Sequence, residues 1–115
     1  MLLTTQRNHQ KMTDKPWKRH ERETARLLGG QRHRVTGLER GAAPDVEHDA
    51  LSIECKHREK IPKWITSAMD QAEASIKDPE QVPVVVIHEK NQRRENDLVL
   101  MKMKHFQALR WWDDG

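Results

Sequence analysis

The segment Pro44-Asp45-Val46-Glu47-His48-Asp49-Ala50-Leu51-Ser52-Ile53-Glu54-Cys55-Lys56 alternates in character along its whole length. Successive side chains of a strand point to opposite faces. One face collects Val46, His48, Leu51, Ile53 and Cys55, which are mainly apolar. The other collects Asp45, Glu47, Ser52, Glu54 and Lys56. A turn at Asp49-Ala50 makes the segment a β-hairpin in which Val46 pairs with Ile53 and Asp45 with Glu54. Directly opposed side chains have Cβ atoms about 5 Å apart. Two carboxylates held so repel each other unless a cation lies between them.

A hard divalent cation such as magnesium takes oxygen ligands, and one or two carboxylates are enough to hold it. Lys56 lies two residues beyond Glu54 on the same face, roughly 6–7 Å along the strand. A metal polarises a phosphoryl oxygen and lowers the pKa of a bound water, and a nearby ammonium offsets charge developing on the phosphate. The pattern fits phosphodiester hydrolysis. The bland alternative is a solvated hairpin face carrying ordinary charges.

Outward from the hairpin, the pattern predicts a helix from Pro16 to Leu28, with Pro16 in its first turn and Gly29-Gly30 as its stop. Trp17, Glu21, Thr24, Ala25 and Leu28 fall on one face at helical spacing, so Glu21 is expected to face inward and Glu23 outward. A short strand is expected at 32–36 and a flexible loop at 37–43. Beyond the hairpin, the sequence predicts a helix over 62–77, with the stripe Ile65, Ala68, Met69, Ala72 and Ile76. A valine-rich strand at 82–88, a basic loop at 89–96, a strand at 97–103 and a closing helix at 104–112 complete the order α-β-β-β-α-β-β-α. Residues 1–13 read as a flexible arm, and 14–115 as a single domain.

The net charge of +3 and pI near 9.2 are a mild basic bias. It suits a phosphate-rich partner, although an ordinary soluble surface accounts for it as well. Cys55 is the single cysteine, which excludes an internal disulfide and fits a reducing compartment. No apolar run approaches the ~20 residues that cross a bilayer, and Met1-Leu2-Leu3 is too short an apolar start for a signal peptide. A cytoplasmic protein without membrane contact is expected.

Pro44-Asp45 followed by Glu54-Cys55-Lys56 resembles the PD-(D/E)XK nuclease signature. The preceding helix with Glu21-Arg22-Glu23 resembles that of the archaeal and phage Holliday-junction resolvases of that superfamily. The matching element order extends the resemblance over residues 16–103. One departure is the loop 37–43, which lacks the serine that those resolvases often carry before the aspartate. The resemblance implies an α/β, restriction-endonuclease-like fold with a central mixed β-sheet flanked by helices. It implies Glu21, Asp45 and Glu54 as metal-site residues and Lys56 as the catalytic lysine, with magnesium as cofactor and manganese as its substitute. It further implies endonucleolytic cleavage of DNA at four-way junctions and a phage or prophage source. Alternatives are a nuclease on other structured or linear DNA, a catalytically silent DNA-binding module, or a protein-interaction domain.

Other residues carry weaker signals. Arg58, Lys60 and Lys63 after the E-x-K pair, and Arg93 and Arg94 in the later loop, are candidate phosphate contacts; for the loop, a solvated tip explains them equally. Gln71 borders the apolar stripe of the second helix as a candidate accessory residue. His48, Cys55 and His57 share a hairpin face, but His48 and Cys55 are roughly 13 Å apart along it, too far for one zinc. Resolving a junction needs two symmetric nicks, so a two-fold homodimer is expected. Its apolar contact would come from Leu98–Met103, Phe106, Leu109, Trp111 or Trp112.

Overall fold

A computed structural model describes residues 15–32 and 45–113. The arm at 1–13, the loop at 37–43, Pro44 and the strand expected beyond Arg32 lie outside those residues. The described part is mixed α/β, with three helices and two small antiparallel sheets. It divides between Arg58 and Glu59 into two compact units.

The first unit opens with helix α1 (Pro16–Leu28). Pro16 has the helical φ built in and loses no hydrogen bond at the first position. At the other end Gly29 sits at φ 79°, in the left-handed region that suits glycine. The Gly30 N–H then donates to the Ala25 carbonyl at 2.9 Å, which satisfies one of the open carbonyls of the last turn. The reversed chain forms β1 (Gln31–Arg32), antiparallel to β2 (Val46–Glu47), with Gln31 opposite Glu47 and Arg32 opposite Val46. Thr24, Ala25 and Leu28 are buried, and the Val46 side chain is wholly enclosed at 0% exposure.

Val46 also bridges to Ile53, and the Asp45 N–H donates to the Ile53 carbonyl at 3.1 Å. This is the register expected from a turn at Asp49-Ala50. Burial alternates along it as well: Val46 is buried and Leu51, Ile53 and Cys55 are half-buried, while Glu47, Ser52, Glu54 and Lys56 are exposed. The third strand, however, shrinks to that single bridge, because side chains take its backbone donors. Asp45 Oδ2 accepts the Cys55 N–H at 2.6 Å. His48 Nδ1 accepts the N–H groups of Ala50 and Leu51 at 3.0 and 3.2 Å. With Nδ1 an acceptor, Nε2 carries the proton of the neutral ring, and it donates to the Leu28 carbonyl at 2.8 Å. His48 therefore ties the turn to the end of α1.

The second unit contains α2 (Lys63–Ala74), β3 (Val85–Ile87), β4 (Leu98–Leu100) and α3 (Met103–Leu109), with one-turn 3₁₀ segments at Arg94–Asn96 and Trp111–Asp113. Each element is shorter than the sequence predicts. Helix α2 stops before Ser75, whose Oγ bonds the Gln71 carbonyl at 2.8 Å, and Gln81 Oε1 then takes the N–H of Lys77 at 2.8 Å. β3 starts only after Pro83, which has no N–H to give a ladder. It pairs with β4 through Val85–Leu100, Val86–Val99 and Ile87–Leu98. Asp97 caps the preceding 3₁₀ turn, its N–H donating to the Arg94 carbonyl at 3.0 Å, and its Oδ1 lies 2.5 Å from His88 Nδ1. Lys102 Nζ reaches Glu73 at 2.8 Å, linking α2 to the start of α3. Met69 is buried, and Phe106 packs on Trp112 with ring centroids 5.2 Å apart. The described strands form two antiparallel pairs, β1–β2 in the first unit and β3–β4 in the second.

Candidate active site

The acidic cavity belongs to the first unit and has a volume of about 230 Å³. α1 contributes Trp17, His20 and Glu21. The hairpin contributes Asp45, Glu54 and Lys56, and the chain beyond it adds His57 and Arg58. Helical spacing explains the first group, since positions four apart, Trp17 and Glu21, share a face. Strand register explains the second. The Val46–Ile53 bridge sets Asp45 opposite Glu54, and alternation brings Lys56 to the same side.

The Asp45 and Glu54 carboxyls face each other and interact through a side-chain hydrogen bond. That bond lowers the Asp45 pKa from its ordinary value. Burial opposes the shift, and the Cys55 N–H and the Lys56 charge reinforce it. Glu54 shifts the other way: the hydrogen bond to Asp45 and the Asp45 charge raise its pKa, and Lys56 only partly offsets them. The negative charge of Glu21 adds to the rise.

Glu21 is only 13% exposed and is held by Arg32, whose Nε donates to its Oε1 at 2.7 Å. Glu23 points elsewhere and pairs with Arg26 at 2.6 Å. The predicted helix phase therefore holds for the two glutamates. It does not hold for Trp17, which is expected inside and is 48% exposed. Cys55 faces inward to Thr24; burial raises its thiol pKa first, and the Thr24 hydrogen bond only partly opposes this. Both ring nitrogens of His48 are engaged, Nδ1 in the turn and Nε2 at the Leu28 carbonyl. Among the described residues, no three His, Cys, Asp or Glu side chains converge on a point that would hold an ion. Asp45 and Glu54 converge as a pair.

The remaining candidates lie in the second unit. Lys60 and Lys63 line a shallow depression with Ile61, Pro62 and Thr66. Gln71 is exposed on α2. Arg93 pairs with Glu95 at 3.7 Å, and Arg94 with Asp97 at 3.6 Å. Sequence reasoning missed His20 and His57 at the cavity, with ring centroids 5.9 Å apart. Their adjacency to Glu21 and Lys56 was the available signal. It also missed Arg32, which reaches Glu21 only because the Gly29-Gly30 turn folds β1 back along α1.

Comparison of the chain with family models, with curated proteins and with solved structures gave no match. Among the described residues, no helix is long and apolar enough to cross a membrane.

Proposed function

We propose that the chain is a magnesium-dependent endonuclease that hydrolyses DNA phosphodiester bonds, with four-way junctions as its substrate. The observation that carries this reading is the Asp45–Glu54 pair, two carboxyls set opposite each other by the Val46–Ile53 bridge and lining one cavity with Lys56. Such a pair fits a hard divalent cation, because an ion between two ionised carboxylates would relieve their repulsion and two oxygen donors suffice for magnesium. Manganese, with the same preference for oxygen, would substitute. The bound ion would supply Lewis-acid polarisation of the phosphate and a more acidic water.

This chain's own residues do the rest. The Cys55 N–H fixes the Asp45 carboxylate at 2.6 Å, so its direction is set before substrate arrives. Lys56 is exposed on the same face and offsets charge as it builds on the phosphate. Glu21, steadied by Arg32, adds a third carboxylate at the cavity wall. Arg58 gives a further cation for a flanking phosphate.

The fold proposed with this activity is the restriction-endonuclease-like one, supported by the order of helices and strands. The working unit is proposed as a homodimer, because two symmetric nicks need two sites. Exposed Leu98, Val99, Leu109 and Trp111 supply apolar surface in support.

The test is incubation of matched junction, flap and linear DNAs with and without magnesium, with cleavage mapped on each strand. Asp45→Asn and Glu54→Gln should each abolish cleavage while binding persists or tightens, because a negative charge beside phosphate is removed. Cleavage surviving in both variants would sink the reading. A monomer by light scattering that cuts linear duplex as readily as a junction would leave only the broader nuclease.

A further inference from the structure

We infer that Trp17 is a base-stacking platform at the rim of the acidic cavity, so that the site selects DNA presenting an unpaired base beside the bond to be cut. The inference rests on the broader nuclease reading, and it favours single-stranded or flapped DNA over a fully paired four-way junction as the substrate.

Trp17 lies one turn before Glu21 on α1 and lines the same cavity as Asp45, Glu54 and Lys56. Its helical stripe is otherwise buried at Thr24, Ala25 and Leu28, yet nearly half of the indole remains in solvent. A ring of this size normally gains by full burial. The cavity itself, about 230 Å³, is smaller than the roughly 300–1,000 Å³ of sites that enclose a small ligand. A nucleic acid reaching Asp45 and Glu54 is larger than the cavity and extends beyond it, and the half-exposed Trp17 of its lining is a surface that such a ligand can meet.

The surroundings of the ring identify the class of ligand. The Lys18 ammonium lies 5.4 Å from its centroid, and the Arg32 guanidinium carbon 5.9 Å. Arg32 is itself anchored on Glu21, which restrains the indole from one side. A half-exposed indole with cations over its ring, next to a phosphate-directed site, is the composition that binds single-stranded nucleic acid, provided the flexible Lys18 side chain swings from the ring to a phosphate. There the cations follow the backbone and the ring takes a base. In continuous duplex every base face is covered by its neighbours, and uncovering one requires unstacking. A flap or a single strand offers that face without this penalty.

The experiment uses the full chain in metal-free buffer and fluorescence anisotropy with three labelled probes. These are an oligothymidylate of roughly 16 nucleotides, the upper end of one single-strand site, a flap of the same length, and a blunt duplex. Wild type is expected to prefer the first two. Trp17→Ala should weaken both by about 5- to 150-fold, the range for loss of one stacked base, and the duplex by less than about twofold. Trp17→Phe should restore most of the difference, because a smaller π-face still stacks. Equal loss on all three probes, or no loss on any, overturns the inference. A Trp17 with a purely structural role would lower the thermal midpoint and affect every probe alike. Cleavage with magnesium is scored separately. A wild type that cuts but binds all three probes alike removes the stacking role alone, whereas a wild type that prefers the single strand and flap yet does not cut supports the role and removes the nuclease reading.

Discussion

Gly30→Ala should destabilise the protein by about 2 kcal/mol, through a clash at the backbone that carries Asp45. A methyl group at Gly30 would stand 2.9 Å from Val46 Cγ1 and closer still to the Glu47 carbonyl oxygen. The carbonyl belongs to β2 and cannot rotate away, and Val46 is fully enclosed. The two strands must therefore separate. Overpacking of this kind costs about 1–3 kcal/mol, and contact with a fixed backbone oxygen puts this case at the upper end. The loss of unfolded-state freedom on replacing glycine offsets roughly 0.4–1 kcal/mol of it. At an m-value of about 1–3 kcal/mol/M, a net 2 kcal/mol moves the urea midpoint by roughly 1 M. Urea unfolding followed by circular dichroism measures this. Gly29→Ala is the control: it meets nothing within 4 Å but must hold φ 79°, which costs an L-residue roughly 1–2 kcal/mol. Because only Gly30 presses on β2, cleavage at a temperature where both variants are folded should fall further in Gly30→Ala. A Gly30→Ala midpoint within experimental error of wild type would refute the close-approach argument. Cleavage equal to that of Gly29→Ala would refute its link to Asp45.

Three further outcomes are expected. Glu21→Gln should lower the cleavage rate by at least about tenfold, equivalent to about 1.4 kcal/mol of transition-state stabilisation. Glu23→Gln, whose carboxylate pairs with Arg26 away from the cavity, should stay within about twofold, and rate measurements giving the reverse order would show that the helix is misphased. The pH dependence follows from the opposed shifts of the acidic pair. Glu54, raised by Asp45, contributes stability below its unfolded value and loses it as pH rises through its folded value. Asp45, lowered, contributes stability above its unfolded value and loses it as pH falls through its folded one. The thermal shift on adding magnesium should therefore grow as pH rises through the raised Glu54 value, and Glu54→Gln should flatten it. A shift independent of pH in wild type would contradict proton–metal competition at the pair. His48→Ala should cost about 1–3 kcal/mol in chemical unfolding, since it removes the acceptor for two turn N–H groups and the donor to the Leu28 carbonyl. His48→Asn should recover part of the loss; indifference to both changes would remove the structural role.

The amino-acid sequence alone determined what depends on local periodicity. Period-2 alternation placed Asp45, Glu54 and Lys56 on one face of a hairpin whose Val46–Ile53 register the structure reproduces. Period-3.6 spacing turned Glu21 toward the cavity and Glu23 away, and Pro16 and Gly29 marked the bounds of α1. Element lengths depended instead on competition between side chains and backbone for the same hydrogen bonds. Asp45 and His48 take the donors that would have extended the third strand, and Gln81 Oε1 takes the N–H groups of Lys77 and Asp78 beyond α2. No periodicity records which competitor wins. The tertiary structure also decided the long-range contacts: Arg32 on Glu21 across eleven residues, and a Trp17 that helical phase alone would bury. Phase states which residues share a face; only the packing of other elements on that face decides how far along the helix it is covered. Here cover reaches Thr24, Ala25 and Leu28 and leaves the first turn, with its indole, open to solvent.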